Sequence, residues 1–235
     1  MSRTYRQSSK VTSDLRERDP NNTWLARAPR LKLSGNALRD QALFASGLLV
    51  EQQGGPSVKP YQPAKLWAEA SNVKYVQDKG DALHRRSLYT YWKRTLAPPS
   101  MAVLDTADRE WCSVKPKRTN TPLQALTLMN ETAFFEAARK LGERILREGG
   151  DDSASRVDFA FRAVLSRSAN DREREILTAG FEKYLAECAK DPEFSGKIQN
   201  VGESKTAPDL DPVELGAATA MANVILNLEE ASVKE

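Results

Sequence analysis

From Thr132 to Ile225 apolar residues recur at helical spacing in one segment after another, and this repetition restricts that half of the chain to packed helices. Thr132–Arg147 carries Phe134, Ala138, Leu141 and Ile145 on one stripe. Glu136–Lys140 and Glu143–Arg147 are i,i+4 pairs expected on the opposite, solvated side, and Gly149-Gly150 closes the helix. A second helix from about Ser153 turns Val157, Ala160, Phe161 and Val164 inward. A third runs from about Asn170 to Lys190 with Leu177, Phe181, Tyr184 and Cys188, and stops before Pro192. A short helical piece at Glu193–Gln199 and a polar loop lead to Asp211-Pro212, which starts a last helix with Leu215, Ala218, Ala222 and Ile225. Four helices on short links predict a small bundle.

The part before Thr121 is less regular. Ser34 is placed to cap a helix whose apolar residues Leu38, Ala42, Ala45 and Leu49 keep helical spacing until Gly54-Gly55-Pro56. A Pro/Gly loop spans Gly54–Pro63 and Ala64–Ala70 reads as a short helix. Ser87–Trp92 is extended or a helix end, Pro98-Pro99 is a break, and Ser100–Thr121 shows no periodicity. A polar connection of that length is functional or packs against something else.

Charge divides at the same place. Residues 1–120 have 21 Lys and Arg against 11 Asp and Glu, a balance of +10, and residues 121–235 have 14 against 21, a balance of −7. All four Trp and nine of the 12 Pro lie at or before Pro122. The expected fold class is therefore mainly α, with an irregular, loop-rich helical N-terminal half packed on a small C-terminal helical bundle. Residues 1–121 form the basic, Trp- and Pro-rich part, and 122–235 the acidic helical part of the same module. The opposite balances predict that the halves attract.

One His and two Cys in 235 residues remove most metal-site and nucleophile chemistry. Cys112 and Cys188 stand far apart without a CxxC, which excludes a thiol redox motif, a zinc knuckle and c-type haem attachment but leaves a disulfide between them open. No metal site and no cofactor are expected in this chain. No phosphate-binding or dinucleotide fingerprint follows Gly54-Gly55. No apolar run reaches the roughly 20 residues of a membrane span, and Met1-Ser-Arg-Thr-Tyr-Arg6 leads into polar sequence without a signal peptide.

Arg118-Thr-Asn-Thr-Pro-Leu-Gln-Ala-Leu126 is the most interpretable motif. Thr121 is a natural N-cap, Pro122 suits the first helical position, and Gln124 stands where its amide would return to the cap as a capping box. Lys115, Lys117 and Arg118 precede this helix start, whose unpaired N–H groups suit an anion. Arg109, Lys117, Arg118 and Asn120 are thus candidates for anion or ligand binding. The competing reading pairs Arg118 with Asp105 or Asp108 and so pins the connection to the helix. Asp105, Asp108 and Glu110 are the carboxylates available for acid or base work, and Asp105 is the weak catalytic candidate. His84, between Leu83 and Arg85-Arg86, is a poor one. Tyr61, Trp67, Tyr89, Tyr91, Trp92 and Trp111 form either core packing or a stacking surface beside Lys93, Arg94 and Arg109.

Arg86-Ser-Leu-Tyr-Thr-Tyr-Trp-Lys-Arg-Thr95, Pro98-Pro-Ser-Met101, Asp105, Cys112, the 118–126 motif and Ala222-Asn-Val-Ile-Leu-Asn227, with Tyr5-Arg-Gln-Ser-Ser9 and Gly54-Gly-Pro-Ser-Val-Lys-Pro-Tyr61 upstream, resemble the C-terminal module called domain of unknown function 1553. Glu131-Thr132 and Ser166-Arg-Ser-Ala169 depart from that family's usual turns. The resemblance implies a C-terminal fragment of a large, exported, planctomycete-type protein, periplasmic or extracellular, often with a cytochrome c-like domain elsewhere. It implies no reaction. Two functions follow as expectations. One is a structural or interaction module that docks the upstream domain of the same protein. The other is a polysaccharide-active enzyme or an anionic-glycan-binding module in which Arg118, Asn120 and Arg109 hold the anion. Nucleic acid is not an expected partner, because no recognition fold accompanies the basic charge.

Overall fold

The structure, a computed structural model, describes residues 2–4, 6–63, 66–67, 74–110, 112, 114 and 117–234. Of the predicted helix at Ala64–Ala70 only Leu66 and Trp67 are described, both helical; Tyr5, Trp111 and Lys115 lie outside the described residues. The chain is mainly helical. In order it forms α1 (Ser13–Arg18), β1 (Leu31–Lys32), α2 (Gly35–Ser46), α3 (Pro99–Val103), α4 (Pro122–Asn130), α5 (Thr132–Glu148), α6 (Ser153–Leu165), α7 (Asp171–Lys190), α8 (Pro192–Gln199), α9 (Pro212–Leu226), α10 (Glu229–Ser232) and β2 (Val233–Lys234), with 3-10 turns at Gly80–His84 and Ser87–Tyr89.

Each bundle helix starts on a side chain that satisfies its orphan N–H groups. Glu131 accepts from the amides of Ala133 and Phe134, Asp152 from Ser155, and Asp211 from Val213 and Glu214. Asn170 and Glu173 close a reciprocal capping box on α7. α9 runs through the middle, packed mainly on α5 and α7. Its Ala218, Met221, Ala222 and Ile225 are buried with Ala138, Leu141, Ile145, Val157, Ala160, Phe161 and Phe181 in one core, and Leu215 is buried as well. Removing such side chains from water contributes roughly 1.5–3 kcal/mol for each large one.

α5 and α9 cross closely because Gly142 has no side chain: a Cβ there would lie 2.9 Å from the Thr219 amide nitrogen. Gly142→Ala is expected to lower stability by roughly 1–2 kcal/mol, with overpacking against backbone outweighing the gain of about 1 kcal/mol in helix propensity. An unchanged or raised urea midpoint would contradict the close crossing.

α2 comes from the basic half and packs on α5, its Leu38 and Ala42 against Leu104, Phe134 and Ala137. It ends sooner than its apolar spacing suggests. Gly47, in the left-handed region at φ 77°, caps it, and Leu49 lies beyond the helix. The early stop lets the Val50 amide donate to the His84 carbonyl at 3.0 Å. One further expectation is corrected. Pro99–Val103 is helical inside the supposedly structureless connection, started by the two prolines. A short antiparallel ladder, which the sequence did not signal, joins β1 to β2, pairing Leu31 with Lys234 and Lys32 with Val233.

The loop-rich half is braced by arginines that donate to main-chain carbonyls. Arg27 reaches Pro20, and Arg39 reaches Leu83 and Arg85. Arg85 reaches Gln52, Gly54 and Pro56, and Arg109 reaches Thr90. Loop carbonyls without a helix or sheet partner need such donors once they leave water. Much of the basic excess thus serves the half that contains it. Polar contacts that cross residue 121 among the described residues include the Arg30–Glu229 ion pair and the hydrogen bond between His84 and Glu136. Trp67 is buried, whereas Trp24 is 65% exposed.

Candidate functional site

Gln124 does not form the predicted capping box. Thr121 Oγ1 does accept from the Gln124 amide N–H at 3.3 Å, but the Gln124 side chain turns inward and is buried. Its Oε1 accepts from Lys32 Nζ at 2.5 Å, and its Nε2 faces the Val103 carbonyl and Asp105 Oδ2, each at 2.9 Å. Lys32, the Val103 carbonyl and Asp105 together satisfy both ends of the buried amide, which a return to the cap would not, so the inward orientation wins over the local cap.

Asp105 is the centre of this knot. Its Oδ2 also accepts from Thr119 N at 2.7 Å and Thr119 Oγ1 at 2.6 Å. Together with Gln124 and the Lys32 charge, these bonds, the Thr119 hydroxyl foremost, hold the carboxyl below its usual range against the opposing effect of burial. Asp105 therefore fastens the 104–120 connection to the start of α4. Arg118 makes no ion pair with Asp105 or Asp108 among the described residues. It stands exposed with Lys117 and Asn120.

Arg109 is not brought to that group. At φ 64° its backbone is left-handed, which sets the guanidinium 4.9 Å over the Trp92 ring with a hydrogen bond to the Thr90 carbonyl. It lines an open groove of about 750 Å³ with Tyr89, Trp92, Arg94, Asp108 and Glu110. A free stacking platform is not formed there. Arg85 covers Tyr89 at 3.9 Å, Lys59 faces Tyr91 at 5.3 Å, and Lys93 faces Trp67 at 4.7 Å. The cysteines are free, Cys112 exposed and Cys188 buried, so no disulfide joins them. Among the described residues no cluster of three or more His, Cys, Asp or Glu is arranged to hold a metal, and no helix is long and apolar enough to cross a membrane.

The densest polar chemistry lies elsewhere, on the face of α5 expected to meet solvent. Glu136 and Arg139 are both 0% exposed and Glu143 3%. His84 Nε2 and Glu136 Oε2 are 3.1 Å apart, and Ser204 N donates to Glu136 Oε1 at 2.6 Å. Arg139 donates to Glu143 Oε1 at 3.0 Å, the Ser204 carbonyl and hydroxyl at 2.6 Å, and Thr206 Oγ1 at 3.0 Å. The expected surface pairs are replaced: Lys140 bonds Glu143, and Arg147 reaches Asp209 at 2.6 Å. Burial raises the Glu136 carboxyl, but the bonds from His84 and Ser204 outweigh it and bring it down to about 2. Burial lowers the Arg139 guanidinium and raises the Tyr61 phenol, the latter with help from the Glu136 charge. The spacing of Glu136, Arg139 and Glu143 on one helical face was the available signal; what covers that face is set by His84, 52 positions before Glu136, and by residues more than 60 positions later.

No curated protein and no solved structure matches the chain. A family model described as a protein of unknown function (DUF1553) matches residues 1–181 of 235, from the N-terminal loops through the first part of α7, and takes in the Asp105–Gln124 knot and the polar face of α5. The chain belongs to that family.

Proposed function

We propose that this chain is a non-catalytic interaction module that seats another protein surface on α4. The observation that carries this reading is the inverted packing of that helix. Gln124 is its one buried residue, while Leu123, Leu126 and Met129 are 56%, 58% and 47% exposed along one face. Val224 of α9, 37% exposed, follows Asn223, whose Nδ2 donates to the Met129 carbonyl at 3.1 Å. Apolar side chains grouped outside a polar knot fit the centre of an interface, and the exposed Lys117 and Arg118 fit its rim. The partner we propose is the upstream domain of a longer exported protein, with an apolar centre and carboxylates around it. Asp105, bound on its Oδ2 by three donors, lends no support to an enzyme acting on glycans.

The test is calorimetric titration of the separately expressed upstream domain into this chain. Leu126→Asp is expected to weaken binding at least tenfold, about 1.4 kcal/mol, with its thermal midpoint unchanged because the side chain is exposed. Undiminished affinity, or no binding by the unaltered chain, would overturn the reading. Retention on a sulfated glycan that is lost on Lys117→Ala and Arg118→Ala but kept by Leu126→Asp would replace it with glycan binding.

A further inference from the structure

The buried polar face of α5 is closed by residues 201–206, and the way that segment is held is unusual. Glu203 N donates to the Tyr61 hydroxyl at 2.8 Å, Ser204 N to Glu136 at 2.6 Å, and the Ser204 carbonyl accepts from Arg139 at 2.6 Å. These are main-chain contacts. The side chains that add to them are small hydroxyls: Ser204 Oγ and Thr206 Oγ1 both accept from Arg139, and Thr206 Oγ1 also donates to the Gln199 carbonyl at 2.7 Å. Glu203 and Lys205 are exposed, and the Glu203 carboxylate turns outward to accept from Gln77. Gly202 lies against the Glu136 carboxylate at φ 84°, where an added Cβ would fall 2.3 Å from Glu136 Cδ.

Between buried Ile198 and buried Ala207 the segment Gly202–Thr206 contributes no large apolar side chain to the core. Displacing it therefore breaks polar bonds and leaves the helical packing in place. Such stretches open locally at a lower cost than global unfolding. Beneath it stand Tyr61, Glu136 and Arg139, set to receive N–H groups and a C=O of a bent chain, with His84 behind Glu136, and Arg139 Nε is buried without a hydrogen-bond partner.

We infer that Tyr61, Glu136 and Arg139, with His84 holding Glu136, form a main-chain-recognition site for a bent peptide, and that residues 201–206 occupy it as a built-in ligand. The peptide it fits has glycine where the carboxylate leaves no room and a hydroxyl residue two positions later, with the intervening side chain unread. This site is separate from the α4 surface, and neither reading depends on the other.

Gly202→Ala is the opening variant. Trypsin cleavage after Lys205, followed by mass spectrometry, is expected to be at least tenfold faster, with the thermal midpoint kept within a few degrees. A fluorescent peptide with the sequence of residues 201–206 is expected to bind this variant saturably and not to bind the unaltered chain. Adding Arg139→Lys, which removes the forked donor set, is expected to abolish that binding. In the unaltered chain the Ser204 amide is expected to exchange hydrogen far faster than the Leu141 amide. Exchange of Ser204 only through global unfolding would overturn the inference. So would unchanged cleavage after Lys205, failure of the peptide to bind Gly202→Ala, or unfolding of the whole chain on that substitution.

Discussion

Arg139→Met is expected to lower the unfolding free energy by about 3–5 kcal/mol at neutral pH, the cost of removing one partner from a buried ionic group. Methionine keeps most of the apolar stem, so lost packing contributes little. What remains is the charge left behind. Glu143 keeps Lys140 and Glu136 keeps His84, but both carboxylates lose the guanidinium, and the Ser204 carbonyl and the Thr206 hydroxyl lose their donor. Each unsatisfied buried group adds about 1–3 kcal/mol if water does not reach it. Urea unfolding at pH 7 measures the loss. A change under about 1 kcal/mol would mean that the face of α5 rehydrates when the arginine goes, and the 201–206 segment would then be only a loose cover. Combining the substitution with Glu143→Gln separates the two cases. If the pair acts as a unit, the Glu143 change costs much less once Arg139 has been replaced than it does alone.

The bundle was legible because its signals are local. A period of 3.6 in Leu141, Ile145, Val157, Phe161 and Ile225 reports a buried face whatever it packs against, and Asp152, Asn170 and Asp211 mark helix starts within three residues of the groups they cap. The misreadings share one cause, a partner distant in sequence. Gln124 fits a capping box locally, yet its amide is engaged by Lys32, Val103 and Asp105. Glu136 and Glu143 fit surface pairs, yet His84 and residues 204–206 cover them. Sequence spacing gives the angle around a helix axis and not the identity of what lies there, so a helix surrounded on all sides shows only its apolar stripe. Of the candidate site residues, Asp105, Thr121 and Gln124 do converge, but as a fastening of the connection. Arg109 is held apart by Trp92 and the Thr90 carbonyl. Charge totals had a similar blind spot: the balance of the first half counts arginines, and only the fold shows that several of them serve as donors to loop carbonyls.

The same buried cluster sets an acid limit on the fold. Glu136 is ionised in the native state down to about pH 2, whereas in the unfolded chain a glutamate titrates near its ordinary value of 4.5. A depressed native value means that the unfolded state takes up the proton first as pH falls. The stabilisation is therefore complete above the unfolded value and is lost progressively as pH drops from about 4.5 toward 2. The gap corresponds to roughly 3 kcal/mol. Burial opposes the charged form of Glu136, the bonds from His84 and Ser204 favour it, the Arg139 and more distant Arg39 guanidinium charges favour it too, and the Glu131 carboxylate, itself raised by burial, opposes it. Other depressed carboxylates, Asp105 and Glu173 among them, also weaken the fold in acid. The diagnostic quantity is thus the difference between the unaltered chain and Glu136→Gln. At pH 7 the variant is expected to be less stable by roughly 3 kcal/mol, and the two stabilities should converge as pH falls through the window. A difference that stays constant from pH 7 to pH 3 would mean that Glu136 stabilises the fold through shape and neutral hydrogen bonding. Its charge, and with it the ionic holding of residues 203–204, would then have no part in closing the face of α5.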